Sequence, residues 1–364
     1  MKISILVLAA LVLMTTPRHA NTAPNNNIYL EHGLVSDLHA QAEHLDPNLV
    51  NPWGIASSPT SPFWVSDNGT GVSTLYNTAG NLFPEGSPLV VTIPPPTGGT
   101  PPAAPTGIVF NGTASFALAT GAPALFIFAA EDGTISGWNP SVDATHAILK
   151  VDNSATRAVY KGLAIGNNGS GDFLYATNFR AGTVDVFNST FGSATLAGSF
   201  SDSSLAMLGF APFGIRNIGG KLYVTYAKQS AEKKDDVAGA GNGYVNVFDL
   251  NGNFIKRLIS NGPLNSPWAL ALAPANFGAL SNTLLVGNFG DGTIHGFDIS
   301  TGALVATALE PSGRVLTIQG LWGLIFGNGG QGGELGVLYF TAGIPGRDNI
   351  EDHGLFGSIR AQHP

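Results

Sequence analysis

The sequence predicts an all-β protein, a six-bladed β-propeller built from four-stranded antiparallel blades. Composition and an internal repeat carry that prediction. Glycine fills 48 of 364 positions and proline 23, which is incompatible with long helices because each interior Gly or Pro weakens a helix. A short phrase, one residue then Gly (once Ala) then an aliphatic, recurs at Trp53-Gly54-Ile55, Thr106-Gly107-Ile108, Lys161-Gly162-Leu163, Phe213-Gly214-Ile215, Trp268-Ala269-Leu270 and Trp322-Gly323-Leu324. Measured at the middle residue, the intervals are 53, 55, 52, 55 and 54, the spacing of propeller blades.

Each unit then repeats one order of signals. An alternating second strand follows the phrase: Phe63 to Ser66, Leu125 to Ala129, Phe173 to Thr177, Leu222 to Tyr226, Leu284 to Gly287 and Val337 to Thr341. A polar turn leads to a third strand, as in Thr134 to Trp138 and Thr183 to Phe187, and most units add a fourth, such as Phe254 to Ile259. The sixth unit ends after Ile359, while Ile28 to His32 is a spare strand at the other end of the chain. That strand is expected to complete the last blade and close the ring, leaving no open sheet edge.

Residues 1–23 read as a secretory signal: Lys2, the apolar run Ile3 to Met14, then small residues, with cleavage between Ala20 and Ala23. Twelve apolar residues are too few to span a bilayer, which takes about 20. Residues 24–364 form a single propeller domain, expected to be exported to the periplasm or beyond as a monomer with no membrane-spanning segment. Only 11% of residues are charged, against roughly 25% in ordinary domains. The net charge of −8 argues against a nucleic-acid partner, which needs a basic face. The absence of cysteine excludes disulfides, thiolate metal sites and a Cys nucleophile.

The phrases Asn51-Pro52-Trp53-Gly54-Ile55, Glu131-Asp132-Gly133-Thr134, Leu285-Val286-Gly287-Asn288-Phe289 and His353-Gly354-Leu355-Phe356-Gly357 resemble a family of exported bacterial six-bladed propellers. Some of its members carry PEP-CTERM sorting tails, which this chain lacks. More distantly the blades resemble NHL repeats, a group that includes gluconolactonase-like hydrolases, lyases and binding scaffolds. The resemblance implies a fold, and fold alone does not choose among those functions.

Ligands of propellers gather at loops around the central channel. On that face the sequence offers Trp53, Lys161, Arg180, Phe213, Trp268 and Trp322. The aromatics serve either as wedges between blades or as a stacking rim. Asp67, Glu131, Asn178 and Asn288 stand just after second strands, where their oxygens suit Ca²⁺ or another divalent cation. The resemblance to gluconolactonase-like propellers implies such a central ion, although Asp and Asn before Gly are also ordinary turn residues. Two long loops, 227–243 and 342–354, concentrate charge, including Lys228 and His353 as candidate proton-transfer groups.

Two functions fit. The first is a scaffold that binds a small molecule or protein through the channel face. The alternative is a metal-dependent, lactonase-like hydrolase or lyase, with the four-residue set holding the ion and His353 or Lys228 handling protons.

Overall fold

The computed structural model describes residues 27–118, 121–347 and 349–362, so the signal assigned to residues 1–23 lies outside the described residues. Six small sheets form a ring. Blade I comprises Pro52–Ala56, Phe63–Asp67, Val72–Tyr76 and Val90–Thr92, and blade II Pro105–Phe110, Phe126–Ala130, Thr134–Trp138 and Ile148–Asp152. Blade IV (Phe210–Ile218, Lys221–Lys228, Tyr244–Asp249, Phe254–Ser260) and blade V (Pro267–Leu272, Leu284–Asn288, Ile294–Phe297, Leu304–Thr307) follow the same antiparallel order. Each first strand lies against the first strand of the next blade, and blade VI meets blade I, so the six innermost strands enclose the axis.

Two blades depart from the four-strand plan. Blade III has only Tyr160–Asn167, Asp172–Asn178 and Thr183–Phe187. After Phe187 the chain makes an isolated bridge at Ser193 and a short helix, Ser203–Met207, capped by the Asp202 carboxylate, before it enters blade IV. Blade VI (Leu321–Phe326, Leu338–Ala342, Leu355–Ala361) gains the N-terminal strand Tyr29–Ser36, antiparallel to Leu355–Ala361, plus the two-residue strand His44–Leu45 at its edge. Ring closure by the N-terminal strand is therefore observed, and the strand runs four residues beyond His32. Among the described residues no helix is long and apolar enough to cross a membrane.

The repeated glycine has a steric cause. A Cβ on Gly54 would stand 2.3 Å from the Thr106 carbonyl oxygen, and one on Gly214 would stand 2.0 Å from that of Trp268. Neither glycine has a positive φ, so contact with the next blade's backbone, not conformational freedom, demands it. Every first strand is also bulged near this point, for example between Pro52 and Ile55 and between Pro212 and Ile215. In blades III, IV and VI a second-strand threonine takes up the freed N–H: Gly162 N donates to Thr177 Oγ1 (2.7 Å), Gly214 N to Thr225 Oγ1 (2.8 Å) and Gly323 N to Thr341 Oγ1 (2.8 Å). Thr177 and Thr341 then donate to the Phe213 and Trp53 carbonyls of the neighbouring blade, stitching the ring at its inner edge.

Candidate functional site

The loop-side mouth of the channel is made by two rings of residues. One is the position before each repeated glycine: Trp53, Thr106, Lys161, Phe213, Trp268 and Trp322. The strand pairing defines the other. Pro52 pairs with Asp67, Pro105 with Ala130, Tyr160 with Asn178 and Pro267 with Asn288. The residue one step further on is then Asn68 in blade I, Glu131 in blade II, Phe179 in blade III and Phe289 in blade V. Glu131 is thus out of step with Asp67, Asn178 and Asn288, and a one-residue shift turns a side chain to the opposite side of a strand.

That offset separates Glu131 from the rest of the four-residue metal set. Asp67 is fully buried with Oδ2 accepting from Thr74 Oγ1 (2.8 Å), and burial pushes its pKa well above the usual carboxylate value. Asn178 donates to Asp185 Oδ2 (2.9 Å) and accepts from Val159 N and Ala181 N. Asn288 donates to the Pro263 carbonyl (2.8 Å) and to Thr293 Oγ1 (3.1 Å). Each of the three holds contacts to its own blade or the loop beside it, with Asp67 Oδ1 and Asn288 Oδ1 left buried without a partner, and only Glu131 reaches the mouth cluster. Among the described residues no group of three His, Asp or Glu side chains is placed to hold a metal ion. The register does not bring Glu131 onto the same side of its strand as the other three. Next to Glu131 the structure places Lys161 instead.

Lys161 Nζ is hydrogen-bonded to Glu131 Oε1, and both side chains are buried, 3% and 11% exposed. Nζ also lies 3.8 Å from Asp235 Oδ1, contributed by the long loop of blade IV, and 4.8 Å above the Trp53 ring. A cation over an indole face is attracted by the ring quadrupole. Glu131 Oε2 accepts from Asn68 Nδ2 (3.4 Å), Asn68 Oδ1 from Asn51 Nδ2 (3.3 Å), and Asn51 Oδ1 from Trp322 Nε1 (3.2 Å). Burial opposes ionisation of Glu131, but Lys161, Lys234 and the hydrogen bonds outweigh it and hold its pKa below the usual value.

Glu351, on the long loop of blade VI, joins the same cluster. It occupies a left-handed backbone conformation, φ 77°, uncommon for a residue other than glycine. Burial pushes its pKa up to about 7; a hydrogen bond from Asn51 and the Lys161 charge lower it, while Glu131 and Asp236 raise it further. Asp236 is raised as well, mainly by burial. The mouth therefore holds carboxyls driven in opposite directions, Glu131 down and Glu351 up. Sequence reading placed Asn68 and the long loops that carry Asp235 and Glu351 on this face without assigning these residues a role, and missed Asn51. The available signal was the density of charge in the two long loops.

The remaining candidates lie elsewhere. His353 Nδ1 is 2.6 Å from Asp37 Oδ2, and Asp37 Oδ1 accepts from Gly354 N, so this histidine fastens the N-terminal strand to blade VI. Lys228 is exposed at the end of its strand, and Arg180 donates to the Glu232 carbonyl (2.7 Å), tying blade III to the long loop of blade IV. The aromatics form a plug. Trp53 and Trp322 stack with centroids 3.4 Å apart, Phe289 stacks on the other side of Trp322 at 4.0 Å, and Phe213 and Phe179 pack alongside. Trp53, Trp322 and Phe213 expose 2% or less, so their faces are spent on one another.

No family model matches the chain. Among solved structures, it superposes on Staphylococcus aureus virginiamycin B lyase with a TM-score of 0.52 at 13% identity, covering 91% of this chain and 98% of that one. A glucose dehydrogenase superposes at 0.53 and 11% identity, covering 92% and 100%. Such likeness shows the six-bladed fold alone. In sequence, the uncharacterized protein R648 of Acanthamoeba polyphaga mimivirus is 36% identical over 336 residues, 90% of this chain and 78% of that protein. Protein L690 of the same virus is 35% identical over 335 residues, 90% and 84%. The chain belongs to the family of these two mimivirus proteins.

Proposed function

We propose that the protein binds a small, uncharged, hydroxyl-rich ligand at the loop-side mouth of the channel, where the Lys161–Glu131 pair and Glu351 meet it. The buried ion pair carries this reading. Burying two charges costs several kcal/mol per ion, and an apolar pair of similar volume would often serve stability better. A chain with 11% charged residues nevertheless gathers Lys161, Glu131, Asp235, Asp236 and Glu351 around one point. Function is the better reason for such a cluster. Lys161 and Glu131 already satisfy one another, so a charged ligand that engaged either would have to break a buried pair. Hydroxyls add to free carboxylate lone pairs without doing so. The secretory signal read at residues 1–23 would place this binding outside the cytoplasm.

One observation favours a catalytic extension of this reading. A carboxyl held at about 7 is poised to take and return a proton near neutral pH, with Lys161 beside it to stabilise developing negative charge. Calorimetric titration of sugars, polyols and aldonolactones, set against polyamines and dicarboxylates, tests both. Neutral hydroxyl-rich compounds should bind, with affinity falling about tenfold or more in Glu351→Gln and Lys161→Met. Turnover of a bound lactone that is lost in Glu351→Gln would establish catalysis. Preference for the charged compounds, or affinity unchanged in both variants, would sink the assignment.

A further inference from the structure

Beyond the aromatic plug the channel opens into a cavity of about 480 Å³ that the mouth site does not use. Its walls are the continuations of the first strands, residues 54–57, 107–110, 162–165, 215–217, 268–270 and 323–325. Most are aliphatic or glycine. Ser57, Phe110, Ile165, Arg216 and Asn217 are only half-buried, which places an opening at the end away from the plug.

One charged residue lines this cavity, Arg216. It stands on the first strand of blade IV, and its Nη1 reaches across to donate to the Leu324 carbonyl of blade VI (3.2 Å). Blade V lies between those two, so the guanidinium spans the channel. No carboxylate pairs with it among the described residues. Its pKa is lowered by burial alone, with no neighbouring charge contributing. Two other polar side chains there are committed: Asn217 Nδ2 donates to the Ile165 carbonyl, Asn217 Oδ1 accepts from Gly220 N, and Trp268 Nε1 donates to the Lys161 carbonyl, while Ser57 adds a hydroxyl toward the opening.

A guanidinium stays charged inside proteins and presents five N–H donors in a fork matched to a carboxylate. One donor is engaged here by protein. We propose that the channel is a second binding site, for a monocarboxylate with an apolar body, its head group on Arg216 and its body along the aliphatic wall. Volumes of roughly 300–1,000 Å³ suit small-molecule ligands, and a wall whose one charged side chain is Arg216 selects a single anionic head. The guanidinium's remaining donors would then be met by a bidentate, charge-assisted contact.

The probes are octanoate, octanol, benzoate, chloride and inorganic phosphate, titrated calorimetrically into the full-length protein. Octanoate or benzoate should bind one to one, at least tenfold more tightly than octanol. Arg216→Met should abolish that preference and Arg216→Lys should keep part of it, because the point charge survives but the fork does not. The comparison of octanoate with octanol uses the wild-type protein alone, so it stands even if a variant misfolds. Equal affinity for octanoate and octanol, no binding of either carboxylate, or binding of chloride or phosphate alone would each overturn the proposal. So would carboxylate binding that survives unchanged in a folded Arg216→Met protein.

Discussion

Lys161 and Arg216 both stand on innermost strands of the propeller, and the fold treats them in opposite ways. At the mouth, Lys161 is matched by Glu131, approached by Asp235 and covered by the Trp53 ring. In the channel, Arg216 has one carbonyl and, among the described residues, no counter-charge. The ring itself explains why both arrangements can occur in one fold. The small residue after each mouth residue, glycine in five blades and Ala269 in the other, lets the blades close onto one another, and beyond that constriction the channel widens. Side chains before the glycine are pressed into mutual contact, while those after it face space. A charge before the constriction must find a partner in the protein. A charge after it can wait for one from outside.

The severest way to break this comparison is to force the constriction open. Gly214→Val puts branched carbon where a Cβ already lies 2.0 Å from the Trp268 carbonyl oxygen, and the neighbour is backbone that cannot swing away. We expect a loss of about 4 kcal/mol or more, seen as insoluble protein or a collapsed melting transition. A variant that melts within a few degrees of wild type would mean that the blades are not held at that contact.

The same substitution at the two cations sharpens the contrast. Lys161→Met strands Glu131 in a buried site, and removing one partner of a buried pair costs roughly 3–5 kcal/mol. Adding Glu131→Leu should restore much of that loss, because the pair as a whole offers little net stability. Arg216→Met instead removes a half-buried charge that has no counter-ion and should leave stability nearly unchanged or slightly raised. Urea denaturation of the four proteins checks all three signs. Equal destabilisation by both Met variants would erase the distinction between mouth and channel.

Much of this architecture is legible in the sequence, because the constriction is written in backbone sterics. Five Gly and one Ala at near-constant spacing mark the inner strands, and alternation marks the strands that follow. The site is legible only in part. Asp67 and Glu131 both look like residues just after a second strand, yet the pairing register sets them one step apart and sends their side chains to different places. Strand ends read from composition carry an error of that size, and a period of two makes one residue decisive. Glu351 and Asp235 were harder still, since long loops bring them to the axis without any periodic signal. Arg216 reads as an ordinary strand residue. Its meaning comes from what fails to surround it.

The gentlest probe is pH, and it separates the two carboxyls that share the mouth. Glu351 has an ordinary value of 4.5 when unfolded and about 7 in the fold. Below roughly 4.5 both states hold the proton, and the group contributes nothing to pH dependence. Between about 4.5 and 7 the unfolded chain has released its proton while the folded protein keeps it, so stability falls as pH rises through that window and then levels off. Glu131 runs the other way. Its lowered value gives stability that is present above about 4.5 and is lost as pH falls through the folded value. Glu351→Gln should therefore flatten the fall between pH 4.5 and 7 and leave the acid limb in place, with the variant more stable than wild type at pH 8 by on the order of 1–2 kcal/mol. Melting curves at half-unit pH steps read this directly. Parallel profiles for the two proteins would put Glu351 in ordinary solvent, and the mouth would then rest on the Lys161–Glu131 pair alone.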